Sequence, residues 1–164
     1  MGSGYSGLYG SSNNSSQPHS ATALYRRLDS WAKREIAKLE KISKRQRDKF
    51  TTACVVIDIS TGKRYYGKNG GMMKEGHPPR NSLLFGDKTH TGILPKTSLN
   101  KYPLGNCAEV HAVNNALNAG AKIGNLYMTT IHVTKGKYGQ LKEGCENCKY
   151  AFKDLIKKNY AGWK

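Results

Sequence analysis

The chain has little acid, no long apolar run and only four cysteines, and each shortage narrows what it can be. No stretch of the 164 residues approaches the ~18 apolar positions of a membrane-spanning helix. No charged-then-apolar signal segment opens the sequence. Asp and Glu number 11 against 27 Lys and Arg, a formal net charge of +16. Such an excess favours polyanionic partners and argues against a small neutral ligand, which gains little from the field. A basic helix that simply stays hydrated is the plainer reading of the same charge. The length suits one domain with a real core and is short for two. Four cysteines form an even set, so two disulfides are one option; their spacing favours a metal instead.

Residues 1–20 are dominated by Gly, Ser and Asn and show no apolar period. They read as a flexible linker or an added leader, and Met1-Gly2-Ser3 resembles a cloning scar. The single domain is expected over 21–164. Leu24, Leu28, Trp31, Leu39 and Ile42 recur at spacings of three and four among many Lys and Arg, which predicts a basic amphipathic helix over about 21–49. A break near Asp29-Ser30 is expected, because those residues can cap a second segment. Thr52–Ile59 is β-branched and ends at the turn Ser60-Thr61-Gly62-Lys63, so Arg64-Tyr65-Tyr66-Gly67 reads as the returning strand of a hairpin. The irregular stretch 67–105 leads into the first cysteine motif and is expected to wall a pocket. A helix from Asn106 (its N-cap) to about Ala119, a strand over Leu126–Val133 and a helix from Cys145 to about Lys158 complete the order helix, hairpin, helix, strand, helix. The predicted class is α/β, a sheet sandwiched by helices in α-ββ-α-β-α order with a shortened C-terminus.

Two fragments carry the chemistry: Cys107-Ala108-Glu109 and Cys145-Glu146-Asn147-Cys148. Three thiolates can hold one zinc ion with a coordination position left open, and a glutamate beside the first can move protons. Both fragments fall at predicted helix N-termini, where the helix dipole lowers thiol pKa values. Cys145 and Cys148, three apart, share a helix face. Each fragment also has a plainer explanation. Asn106 with Glu109 matches a capping box. The Cys-x-x-Cys pair fits redox chemistry, or half of a structural zinc site completed by Cys107 and by Cys54, His111 or His132. Cys54, inside Ala53-Cys54-Val55-Val56-Ile57, reads as a small buried hydrophobe. His111 is expected to pack or hydrogen-bond behind the site, since a fourth protein ligand would close the metal. His77, His90 and His132 have no partner spacing that singles them out. Tyr65, Tyr66, Tyr102 and Tyr138 are candidates to stack on a base, against the commoner role of packing. Candidate phosphate contacts are the basic first helix and Lys135, Lys137 and Lys142.

With these residues the chain resembles the cytidine deaminase-like superfamily, whose signature is His/Cys-Ala-Glu followed by Cys-x-x-Cys. More narrowly, 106–112 with 144–148 looks like the YwqJ-like deaminases of bacterial polymorphic toxins. The likeness spans roughly Phe50 to Tyr160. It implies Cys107, Cys145 and Cys148 as ligands of one zinc ion per chain and Glu109 as proton shuttle. It further implies a secreted toxin's C-terminal domain, delivered into a target cell's cytoplasm and neutralised by a cognate immunity protein. Two features depart from the pattern. Gly144 stands where many members have Pro, and little chain remains after the last helix, so the later strands must be lost, reduced to one short strand, or supplied from 67–105. The expected activity is conversion of cytosine to uracil in nucleic acid, DNA before RNA, by a monomer. RNA, free nucleotides or adenine are alternative substrates, and a zinc-stabilised nucleic-acid-binding module is the non-enzymatic alternative.

Overall fold

A computed structural model describes residues 21–41, 44–156 and 158–159; the segment 1–20 lies outside the described residues, as do 42–43, 157 and 160–164. The elements in chain order are α1 (Ala21–Glu40), α2 (Lys44–Asp48), β1 (Thr52–Asp58), β2 (Arg64–Lys68) and α3 (Ser82–Phe85). They are followed by α4 (Ala108–Asn118), a 3₁₀ turn at Ile123–Asn125, β3 (Leu126–His132), α5 (Glu146–Phe152) and β4 (Lys158–Asn159). The α/β class expected from the sequence holds. No described helix is long and apolar enough to cross a membrane.

The sheet order is β2-β1-β3-β4, with β1 antiparallel to both neighbours and the short β4 parallel to β3. β1 is central, and all seven of its residues are buried. Its two-residue period therefore divides two cores rather than separating core from solvent. Ala53, Val55 and Ile57, with Ile131 and Val133, pack under Leu24, Leu28, Ala32 and Leu39 of α1 and under Phe50. Cys54 and Val56, with Leu126 and Met128, pack against Val110, Val113 and Ala116 of α4 and Cys148, Ala151 and Phe152 of α5. Burying each large aliphatic side chain in these layers contributes roughly 1.5–3 kcal/mol. The cysteines belong to the second layer.

Several boundaries differ from the sequence reading. α1 runs unbroken through Asp29-Ser30. Asp29 is not free to cap, because its carboxylate accepts from Tyr138 Oη at 2.8 Å and pairs with Lys33 at 3.1 Å. The helix stops at Glu40 instead, before the separate α2. The last helix ends at Phe152, short of Lys158, and the following turns drop Ile156 into the core before β4. Beyond the last helix, the described residues supply one two-residue strand.

The stretch 67–105 is irregular but not loose. Met72, Leu84 and Leu94 are buried in the α4 layer. Asn114 of α4 holds it at one end, accepting from the Asn81 N–H at 2.7 Å and donating to the Pro79 carbonyl at 2.9 Å. Asn147 of α5 holds the other, accepting from the Leu99 N–H at 2.8 Å and donating to Ser98 Oγ at 3.0 Å. This second tie places the stretch against the N-terminus of α5.

Candidate metal centre

Each fragment singled out in the sequence starts a helix. Cys107 is the N-cap of α4, in extended conformation (φ −74°, ψ 145°), and Cys145 is the N-cap of α5 (φ −72°, ψ 173°). The cap thus falls one residue later than Asn106. Asn106 is used by a turn instead, its N–H donating to the Pro103 carbonyl at 3.1 Å while its carbonyl accepts from Gly70 at 2.7 Å. A Cβ on Gly67 would fall 2.4 Å from the Ala108 carbonyl oxygen and from the Ala112 nitrogen, so only glycine lets β2 lie this close to α4.

The Sγ atoms of Cys107, Cys145 and Cys148 lie within 4.8 Å of one another, and those of Cys107 and Cys145 are 2.9 Å apart. Cys148 is fully buried, whereas Cys107 and Cys145 are half-buried. No fourth His, Cys, Asp or Glu among the described residues joins the group. The three thiols can hold a metal ion. Tetrahedral thiolate coordination at ~2.3 Å sets sulfurs about 3.8 Å apart, so Cys107 and Cys145 need to part by about 1 Å. The Cys107 thiol and then the Cys148 thiol turn toward Cys145 and hold it well below the ordinary thiol range. Cys107 and Cys148 are correspondingly raised.

Glu109 follows in the first turn of α4 and is 1 % exposed. Burial is the main cause that raises its pKa, and the positive charge of Lys142 opposes it. Its Oε2 is buried with no hydrogen-bond partner among the described residues. Thr130 of β3 lies beside Glu109 and Cys54 and favours the charged form of each, although its buried Oγ1 makes no hydrogen bond of good geometry among the described residues. Native interiors rarely leave such groups unsatisfied without a ligand, ion or water to meet them. The unmatched oxygen of Glu109 belongs to the residue two places after Cys107, in the same first turn of α4.

The other expected residues fall as follows. Cys54 is buried opposite Thr130 in the β1–β3 register, its thiol raised by burial, and it stays outside the thiol group. His111 Nδ1 accepts the Lys68 N–H at 3.1 Å, and its ring fills the space above Gly71. Burial lowers its pKa, so the neutral ring carries its proton on Nε2. Lys142 is half-buried, while Lys135 and Lys137 are exposed on the same loop. Tyr65 packs against the α4 layer, but Tyr66 stacks on Trp31 at 5.3 Å on the opposite face of the sheet. The structure does not bring Tyr66 to the thiols. Tyr138 donates to Asp29, and Tyr102 is exposed beneath Lys101 at 5.3 Å. Sequence reasoning missed Thr130 and Asn147. Asn147 offered a faint signal, as a polar residue enclosed between two clustered cysteines; a threonine in an alternating strand offers none. Comparison with family profiles, curated proteins and solved structures finds no match to this chain.

Proposed function

We propose that the chain is a zinc-dependent deaminase that converts cytosine to uracil in nucleic acid, with DNA as the preferred polymer. The observation that carries this reading is the buried Oε2 of Glu109, unpartnered among the described residues, near three converging thiols that no fourth described His, Cys, Asp or Glu joins. A structural zinc site has no use for that carboxylate. The donor set is soft and sulfur-rich, which suits zinc. Cys107, Cys145 and Cys148 would hold the ion, whose chemistry is to lower the pKa of water at its open position. Glu109 would take a proton from the attacking water and deliver it to N3 of the base as the oxygen adds to C4, then carry the proton of the new C4 hydroxyl to the exocyclic amino group as the C4–N bond breaks. Water enters, ammonia leaves and the carboxylate is regenerated. Lys142 supplies positive charge near Glu109, and with Lys135 and Lys137 offers contacts to the phosphates. The excess charge of +16 fits a polymeric substrate better than a free nucleoside.

The likeness of the two motifs to the polymorphic-toxin deaminases supports the wider setting. In that setting this is a C-terminal toxin domain, secreted into a target cell and held in check by an immunity protein. The test is to incubate zinc-loaded protein with a mixed pool of single-stranded DNA, duplex DNA and RNA, then sequence it, with Glu109→Gln in parallel. The expected result is C-to-T change in DNA that falls ~10²–10⁴-fold in the variant while zinc content is kept. A-to-G change would overturn the base. No change in any polymer, from protein holding one zinc, would overturn the nucleic-acid reading in favour of free nucleotides or a structural metal.

A further inference from the structure

The sheet face turned away from the thiols carries a second polar group that the metal centre does not use. β2 is an edge strand, and its alternate residues Arg64, Tyr66 and Lys68 face α1. Two contacts fix that register. Tyr66 stacks on Trp31 with ring planes 11° apart, and Lys68 Nζ lies 3.5 Å from Glu35 Oε1. On α1, Arg27, Trp31 and Arg34 fall at i, i+4 and i+7, a single stripe. The stripe seated by Trp31 therefore brings Arg27 beside Arg64 and Arg34 beside Tyr66. Burial and then the neighbouring Arg27 hold the Arg64 guanidinium below its ordinary value.

Arg27 acts on Arg64, Arg34 follows along the same stripe beside Tyr66, and the nearby carboxylates are already engaged. Glu35 serves Lys38 at 2.9 Å and Lys68, and Asp29 serves Lys33 and Tyr138. The Nε of Arg64 is buried with no acceptor among the described residues. Arg27 and Arg34 are exposed and reachable. Like charges gathered around an unmet N–H donor are the pattern of a site that an anion completes.

We propose that the seam between α1 and β2 is a phosphodiester-binding site, in which Arg27, Arg34 and Arg64 hold nucleic-acid backbone on the face of the sheet opposite the thiols. Guanidinium forks match phosphate oxygens in pairs. A repeating polyanion, rather than one small anion, fits a chain with 27 basic and 11 acidic residues. The inference shares with the proposed function only the class of partner. It needs no chemistry at the cysteines, so binding and not turnover tests it.

The experiment is fluorescence anisotropy of labelled 20-nucleotide DNA, single-stranded and duplex, titrated with the full chain over a range of salt concentrations. The triple variant R27A/R34A/R64A is compared with K96A/K122A/K153A, which removes equal charge at exposed positions elsewhere. The arginine variant should lose at least ten times more affinity than the lysine variant, and its log–log salt slope should fall by about two to three. Replacing the same arginines by lysine tests the forks with charge retained; affinity should fall while the slope holds. Equal losses in the arginine and lysine variants would overturn the site in favour of diffuse attraction. Unchanged binding in R27A/R34A/R64A would overturn it and leave the seam to an acidic protein surface.

Discussion

Gly67 of β2 meets the carbonyl oxygen of Ala108 in the first turn of α4, so close that an added Cβ would sit 2.4 Å from it. The contact couples an ordinary hairpin strand to the helix start that carries Cys107 and Glu109. Neither partner can yield cheaply, because both are backbone. Gly67→Ala should destabilise the protein by about 1–3 kcal/mol. It should also lower metal content at limiting zinc, since the shift reaches the helix that positions a ligand. Chemical denaturation and elemental analysis check the two parts, and an unchanged midpoint with full metal content would show that β2 tolerates displacement.

The thiol group predicts a clean division among the four cysteines. Cys148→Ala removes the fully buried thiol of the helix that also supplies Cys145, and metal content should fall to near zero. Cys54→Ala touches only packing, so it should keep its full complement of metal and lose about 1 kcal/mol of stability. A loss of metal in Cys54→Ala would instead make Cys54 a fourth ligand and close the position that the proposed deamination needs.

The hairpin, the central strand and both motif-bearing helices were legible because their signals are local. β-branched runs, a Gly-containing turn and cysteines at helix starts need no tertiary information. The end of the first helix was not. Asp29-Ser30 carries a cap signature, yet Asp29 is claimed by Tyr138 from a loop more than a hundred residues away. The last helix was read too long for a related reason: the demand of the core for Ile156 and the pairing of β4 with β3 outweigh continued helical propensity. At the site, the cysteines that converge followed from spacing, whereas Thr130 reaches them only through strand register. Tyr65 and Tyr66 look alike in sequence, but a two-residue period sends one to each face of the sheet.

Asn147 is the residue through which the stretch 67–105 feels the metal helix. It is 3 % exposed, and both ends of its amide are used, by the Leu99 N–H and Ser98 Oγ. Asn147→Ala would leave the Leu99 N–H without its acceptor, a loss of about 1–3 kcal/mol. The expected outcome is faster hydrogen exchange at the Leu99 amide and easier proteolysis around residues 96–103, with metal content equal to that of the parent. Protection equal to the parent would mean that the stretch is held by Met72, Leu84 and Leu94 alone.

The bond from Tyr138 to Asp29 makes a prediction about alkaline pH. Burial first, and then the hydrogen bond to the Asp29 carboxylate, raise the Tyr138 phenol above its ordinary value of 10.0. The folded protein therefore keeps this proton at a pH where the unfolded chain has begun to release it. The contribution is fully present below pH 10 and is lost as pH rises through that value toward the raised folded one. Partial exposure screens the bond, so about 1 kcal/mol is expected at neutral pH. Stability of the parent minus that of Tyr138→Phe, followed by denaturation from pH 8 to 11, should be flat to about pH 10 and then shrink. A difference that persists unchanged at pH 11 would show that packing of the ring, and not the hydrogen bond, ties the 134–144 loop to α1.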